Sequence, residues 1–145
     1  MTARETLARR QREVLDDLLA GRVPAGFDPV GSAATTRVLH RRRSAAALHV
    51  APELAQLPGW RDRFHAWAAA HPAEGCAHDD VRGFAASLAR TDPDGLRLLE
   101  VHDGARRVAW IRIDGRRVLL VRLRDSVLRL TQRRRREPTT DRSPT

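Results

Sequence analysis

The sequence predicts an α+β protein: an N-terminal bundle of four to five helices followed by a four-stranded antiparallel meander. Three observations carry this. Trp60, Phe64 and Trp67 recur at i, i+4 and i+7, a helical stripe. Asp92-Pro93-Asp94-Gly95 breaks the chain, and beyond it the apolar period drops from about 3.6 residues to 2. Asp103-Gly104 and Asp114-Gly115 are both two-residue hairpin signals. The expected divisions are a helical domain over 1–92, a β-meander over 93–132 and a disordered basic tail over 133–145.

The first helix opens on Thr2 with Glu5 three residues on, the spacing of a capping box. Leu7, Val14, Leu15, Leu18 and Leu19 form its apolar face, and Gly21 stops it. In the loop that follows, Phe27 is expected to plug the core. Asp28 and Pro29 then supply a cap and a proline at the first helical position. The second helix is expected to run to about His49 and holds Arg41, Arg42 and Arg43. Three consecutive positions span about 200° of a helix, so one of these arginines must lie near the packed face. Pro52 and Pro58 bracket a short turn with Leu54 and Leu57. The aromatic stripe ends at Pro72, and a last helix follows Asp79 with Val81, Phe84 and Leu88 inward.

In the sheet, two-residue turns set the register. Asp114-Gly115 puts Val108 opposite Val121 and Trp110 opposite Leu119. Asp103-Gly104 puts Leu99 opposite Val108, and a weaker turn at Asp125-Ser126 puts Leu123 opposite Leu128. One face then gathers Leu99, Val101, Val108, Trp110, Leu119, Val121, Leu123, Leu128 and Leu130, and is expected to be the core face. The other combines Leu98, Ala109, Ile111, Val118 and Leu120 with Arg107, Arg116, Arg122 and Arg129. Ninety residues of short helices cannot cover both, so one apolar face or an outer strand, Leu96–His102 or Val127–Thr131, should stay accessible.

No apolar run approaches the roughly 20 residues of a membrane span, and the N-terminus has no signal-peptide character. Cys76 is the only cysteine, so no internal disulfide forms and a cytoplasmic location is expected. All 27 basic residues are arginine, a bias consistent with GC-rich coding. Their placement is uneven: 13 Arg against 11 acids over 1–92, 9 against 5 over 93–132, and 5 against 2 over 133–145. The basic excess therefore belongs to the sheet and tail.

No glycine-rich phosphate loop, nucleophile elbow or Ser/His/Asp set occurs, so no catalytic residue and no cofactor are expected. His71, Cys76, His78, Asp79 and Asp80 could approach one another but lack the paired close spacings of a structural metal site, and none is assigned. Cys76 reads as a small loop residue and not a nucleophile, with no helix N-terminus or base clearly placed to lower its pKa. Arg133, Arg134, Arg135 and Arg136 are the candidates for non-specific phosphate contacts. Arg107, Ile111, Arg116, Val118, Leu120, Arg122 and Arg129 are the candidate partner-binding residues. An apolar centre with an Arg rim is a common make-up for an interface.

From Gln11 to Trp67 the chain carries Leu18-Leu19-Ala20-Gly21, Val23-Pro24, Gly26-Phe27-Asp28, an Arg-rich second helix and Phe64-x-x-Trp67. In these it resembles a family of small uncharacterised actinobacterial proteins. That family is distantly similar to the peptide-modification partner proteins of the methanobactin and bufferin type. The resemblance implies a helical domain followed by a β-rich part, and a role presenting a precursor peptide to a multinuclear iron TIM-barrel enzyme. The resulting expectation is a non-enzymatic accessory protein with a protein or peptide partner. The alternatives are a nucleic-acid-associated protein acting through sheet and tail arginines, and a homodimer.

Overall fold

The computed structural model describes residues 2–71, 73 and 75–131. Five helices precede a three-stranded antiparallel sheet: α1 Ala3–Leu19, α2 Pro29–Val50, a 3-10 turn Pro52–Gln56, α3 Trp60–Ala70, α4 Ala77–Thr91, α5 Pro93–Asp103, β1 Val108–Ile113, β2 Arg116–Leu123 and β3 Ser126–Thr131. Expectations for 133–145, including the four consecutive arginines, lie outside the described residues.

The helix starts follow their caps. Thr2 and Glu5 form the capping box reciprocally, and the Asp28 carboxylate accepts the Gly31 N–H ahead of Pro29. Only the C-terminal end of α1 is packed. Leu18 and Leu19 are buried, while Leu7 and Leu15 are exposed. The last carbonyls of α1 are satisfied from α2: Thr36 donates to Leu18 O at 2.8 Å, and His40 Nε2 lies 2.7 Å from Leu19 O. Phe27, expected in the core, is 51% exposed, because the chain turns at Gly26 (φ 84°) and leaves the ring on the surface.

The main correction concerns 93–103. The fourth strand expected at Leu96–His102 is a helix, so the sheet has three strands. Asp92 and Pro93 repeat the signal at Asp28 and Pro29: the Asp92 carboxylate accepts the Gly95 N–H at 2.8 Å, and Pro93 takes the first helical position. Gly104, at φ 93°, caps the C-terminus of α5 instead of turning a hairpin. Gly95 is buried so close to Asp92 that a Cβ would lie 2.5 Å from its carboxylate oxygen. Leu98, Leu99 and Val101 are all buried, which one face of a strand could not achieve but one side of a helix does.

The β1–β2 register is as expected: Val108 faces Val121 and Trp110 faces Leu119. Asp114 (φ 49°) and Gly115 (φ 74°) both adopt the left-handed conformation that a two-residue hairpin turn demands. The second hairpin turns one residue earlier than expected, again through two residues, which shifts its pairing by two. Its turn is Arg124-Asp125, with Arg124 at φ 52°, so Leu123 faces Ser126 and Val121 faces Leu128. A shift of two keeps every side chain on its face.

One buried cluster runs from Ala47 on α2 through Leu54, Phe64 and Phe84 to Leu98, Val101, Ile111 and Leu120. Trp60 is buried and Trp67 half-buried, as expected of the stripe. Phe64 meets Phe84 edge-on at 5.4 Å, the geometry aromatic rings favour.

Candidate interaction surface

Helix α5 decides which sheet face is internal. It lies over Ala109, Ile111, Val118 and Leu120, which are at most 6% exposed. The candidate contact residues Ile111, Val118 and Leu120 are therefore core, because α5 lies across them. The opposite face, expected to be the core, is open. Val108, Trp110, Leu123, Leu128 and Leu130 are each about half exposed, between 47% and 54%. Leu119 and Val121 on the central strand are half-buried by these neighbours. The rows are Trp110–Leu119–Leu130 and Val108–Val121–Leu128, with Leu123 beyond them. An apolar face of this extent exceeds the scattered single residues normal on a surface.

The arginines named from sequence have separate roles. Arg122 is half-buried, and its guanidinium donates to Val101 O at 3.1 Å and to His102 O, closing the C-terminus of α5. Arg129 donates to the Gln56 side chain. Arg107 and Arg116 are exposed, and among the described residues neither side chain has an ion-pair partner. Arg112 and Arg117, not singled out from sequence, stand directly opposite each other at one end of the open face. Arg117 lies 5.8 Å from the Trp110 ring centroid. The signal for them was available: continuing the Trp110–Leu119 register by one pair on the same face reaches both.

The sheet also has an open edge. Among the described residues β3 pairs only with β2. In the observed register, Ser126, Leu128 and Leu130 bond to β2, while Val127, Arg129 and Thr131 turn their backbone groups outward. At the opposite edge, Asp94 on α5 accepts the Arg112 N–H at 3.0 Å.

Within Arg41–Arg43 the inward residue is Arg43. Its Nε and Nη2 each donate to Asp80 at 2.7 Å. Its Nη1 donates to Ala68 O at 3.0 Å and His71 O at 2.8 Å, at the C-terminus of α3. The guanidinium also lies 5.4 Å from the Trp67 ring centroid. Every polar group of this buried pair is thus occupied in joining α2, α3 and α4. Asp80 is therefore committed to Arg43, and His71 stacks on Trp67 at 4.8 Å. Cys76 is not remote from a helix start: it is the N-cap of α4, and its thiol donates to Asp79 at 3.2 Å. The Cys76 N–H, and then the thiol, hold the Asp79 carboxyl below the usual carboxylate range. Among the described residues no group of three or more His, Cys, Asp or Glu could hold a metal ion. Nor is any described helix long and apolar enough to cross a membrane.

Two histidines are held toward their neutral form. Burial, and secondarily the neighbouring His40, lowers the pKa of His65, whose Nε2 lies 3.1 Å from the Ser44 hydroxyl. Burial also lowers that of His102, whose Nε2 has no hydrogen-bond partner among the described residues.

The fold and surface define a small α+β protein whose three-stranded sheet is covered by a helix on one face and open on the other. Residues 8–90 match the family model for the SCO6045-like, C-terminal domain, and the chain belongs to that family. The match spans α1 to α4, so α5 and the open sheet lie beyond it. No curated protein and no solved structure matches the chain.

Proposed function

We propose that this chain is a non-catalytic accessory protein that binds a peptide or another protein through the open face and free edge of its sheet. The observation that carries this is the patch formed by Val108, Trp110, Leu119, Val121, Leu123, Leu128 and Leu130. No polar side chain interrupts it. Leaving such a patch in water forgoes about 25 cal/mol for each Å² that a partner would cover. The β3 edge can accept an extended peptide as an added strand. A finer reading, resting on the distant resemblance that the sequence suggests to peptide-modification partner proteins, is that the bound segment is a precursor peptide presented to a modifying enzyme.

The test is affinity capture from the native host, using the full chain and a Leu128→Asp/Leu130→Asp variant. Both positions are exposed, so the variant should keep its circular dichroism. A partner recovered by the parent and lost by the variant supports the reading. Identical recovery by both contradicts it.

A second reading has one observation in its favour. Trp110 is open on a sheet bordered by arginines that have no ion-pair partner among the described residues, an arrangement on which a nucleic-acid base can stack. It predicts DNA or RNA binding at low salt that weakens steeply as salt rises.

A further inference from the structure

We infer that the open face receives an acidic amphipathic α-helix of about three turns, anchored at one end by carboxylates on Arg112 and Arg117. This rests on the protein-binding reading above and names the chemistry of its partner. The dimensions match a helix. Three strands about 4.8 Å apart place their outer axes roughly 10 Å apart, close to the diameter of one helix. Along the strands the apolar patch runs from Leu119 to Leu123, about 14–17 Å, or roughly eleven helical residues. Helix α5 covers the other face of the same sheet in this way, with Leu98, Leu99 and Val101. A strand added at the β3 edge would leave Val108 and Trp110, on the far strand, uncovered.

Charge selects the acidic partner. Arg112 and Arg117 are a directly opposed cross-strand pair, a juxtaposition that is unfavourable without an anion between the two charges. Among the described residues neither guanidinium has a salt-bridge partner, although seven other arginines do. The strand residues of this face include no carboxylate. A second copy stacked face to face brings the same acid-free face and the same formal charge of +9. The sequence of residues 132–145, QRRRREPTTDRSPT, has no aromatic residue and no Val, Ile, Leu or Met, and so offers no apolar stripe to match this face.

The test uses fluorescein-labelled model helices of 14 residues with one leucine stripe. One carries two Glu at an end of the stripe, and its counterpart carries Lys there. Fluorescence anisotropy with the full-length protein should show the Glu helix binding about tenfold or more tighter than the Lys helix. Raising salt should erode that preference. Arg112→Gln/Arg117→Gln should remove the preference while leaving residual binding, whereas Leu128→Asp should lose both helices. Equal binding of the two helices overturns the inference. So does displacement of the Glu helix by a short single-stranded oligonucleotide. Sedimentation showing a dimer that Leu128→Asp dissociates also overturns it, since a second copy is then the occupant. If neither helix binds while host capture still depends on Leu128 and Leu130, this inference fails and the protein-binding reading stands. If capture is also independent of them, both fail.

Discussion

The two faces of the sheet are about equally apolar, yet one is core and the other is surface. Ala109, Ile111, Val118 and Leu120 lie under α5, while Val108, Trp110, Leu128 and Leu130 project from the opposite face of the same sheet and stay half exposed. The exposed set includes the sheet's only aromatic residue. Hydrophobicity therefore does not select the buried face here. The connection does: α5 enters β1 through Gly104, and Asp94 and Arg122 fasten it across one side. The same contrast separates the arginines. Arg43 is buried with all three guanidinium nitrogens hydrogen-bonded, whereas among the described residues Arg112 and Arg117 face each other without an acid.

The comparison breaks most directly if charge is tolerated on the covered face. Ile111→Asp/Leu120→Asp should unfold the protein, at a cost of more than about 5 kcal/mol, because two carboxylates would be buried without partners. Leu128→Asp/Leu130→Asp should retain native circular dichroism. A folded Ile111→Asp/Leu120→Asp protein would mean that α5 does not cover that face.

The arginine contrast comes next. Asp80→Ala should cost about 3–5 kcal/mol in a urea titration, since it strands the Arg43 charge in the interior. Arg117→Gln should shift the same midpoint by no more than about 0.5 kcal/mol. Near-equal effects would remove the distinction between a fastening arginine and a free one.

How much of this was legible in the sequence depends on the element. The Asp114-Gly115 turn admits one backbone solution, so the β1–β2 register followed directly from it. At Leu96–Val101 the residues read Leu-Arg-Leu-Leu-Glu-Val, which fits alternation and a helical face alike. The cue that separates them is Asp92-Pro93, the same cap and proline that start α2. Asp103-Gly104 misleads because a left-handed glycine serves a helix end as well as a hairpin. With α5 read as a strand, nothing remained to cover one face, and the larger apolar set became the expected core. The accessibility of one apolar face was legible; its identity required the position of α5. Arg43 was legible only as one of three, since helix phase within Arg41–Arg43 depends on packing across three helices.

Acidification sharpens the comparison on the covered side, where His102 lies beside α5's C-terminal cap. His65 and His102 have folded-state pKa values below the ordinary value of 6.5. For a histidine with a lowered pKa, the unfolded chain binds more protons as pH falls through the unfolded value. Their contribution to stability is therefore complete above about pH 6.5 and declines toward the lowered pKa values. Urea midpoints should fall between pH 7.5 and pH 5, and His65→Gln/His102→Gln should flatten that slope. Asp79, lowered from 3.8, acts in the same direction at more acid pH.

Even the largest side chain on the open face should contribute little to stability. Trp110→Ala should change stability by less than about 1 kcal/mol, against about 3–5 kcal/mol for truncating a buried aromatic such as Phe64. A loss comparable to that of Phe64→Ala would place Trp110 in a core.

Hydroxyl-radical footprinting of the full-length protein tests the central claim most directly, because it reads both faces in one sample. Trp110, Leu128 and Leu130 should be modified in the native protein, while Ile111 and Leu120 stay protected until denaturant unfolds it. Protection of Trp110 matching that of Phe64, with oxidation at Ile111 or Leu120, would contradict the assignment of the open face.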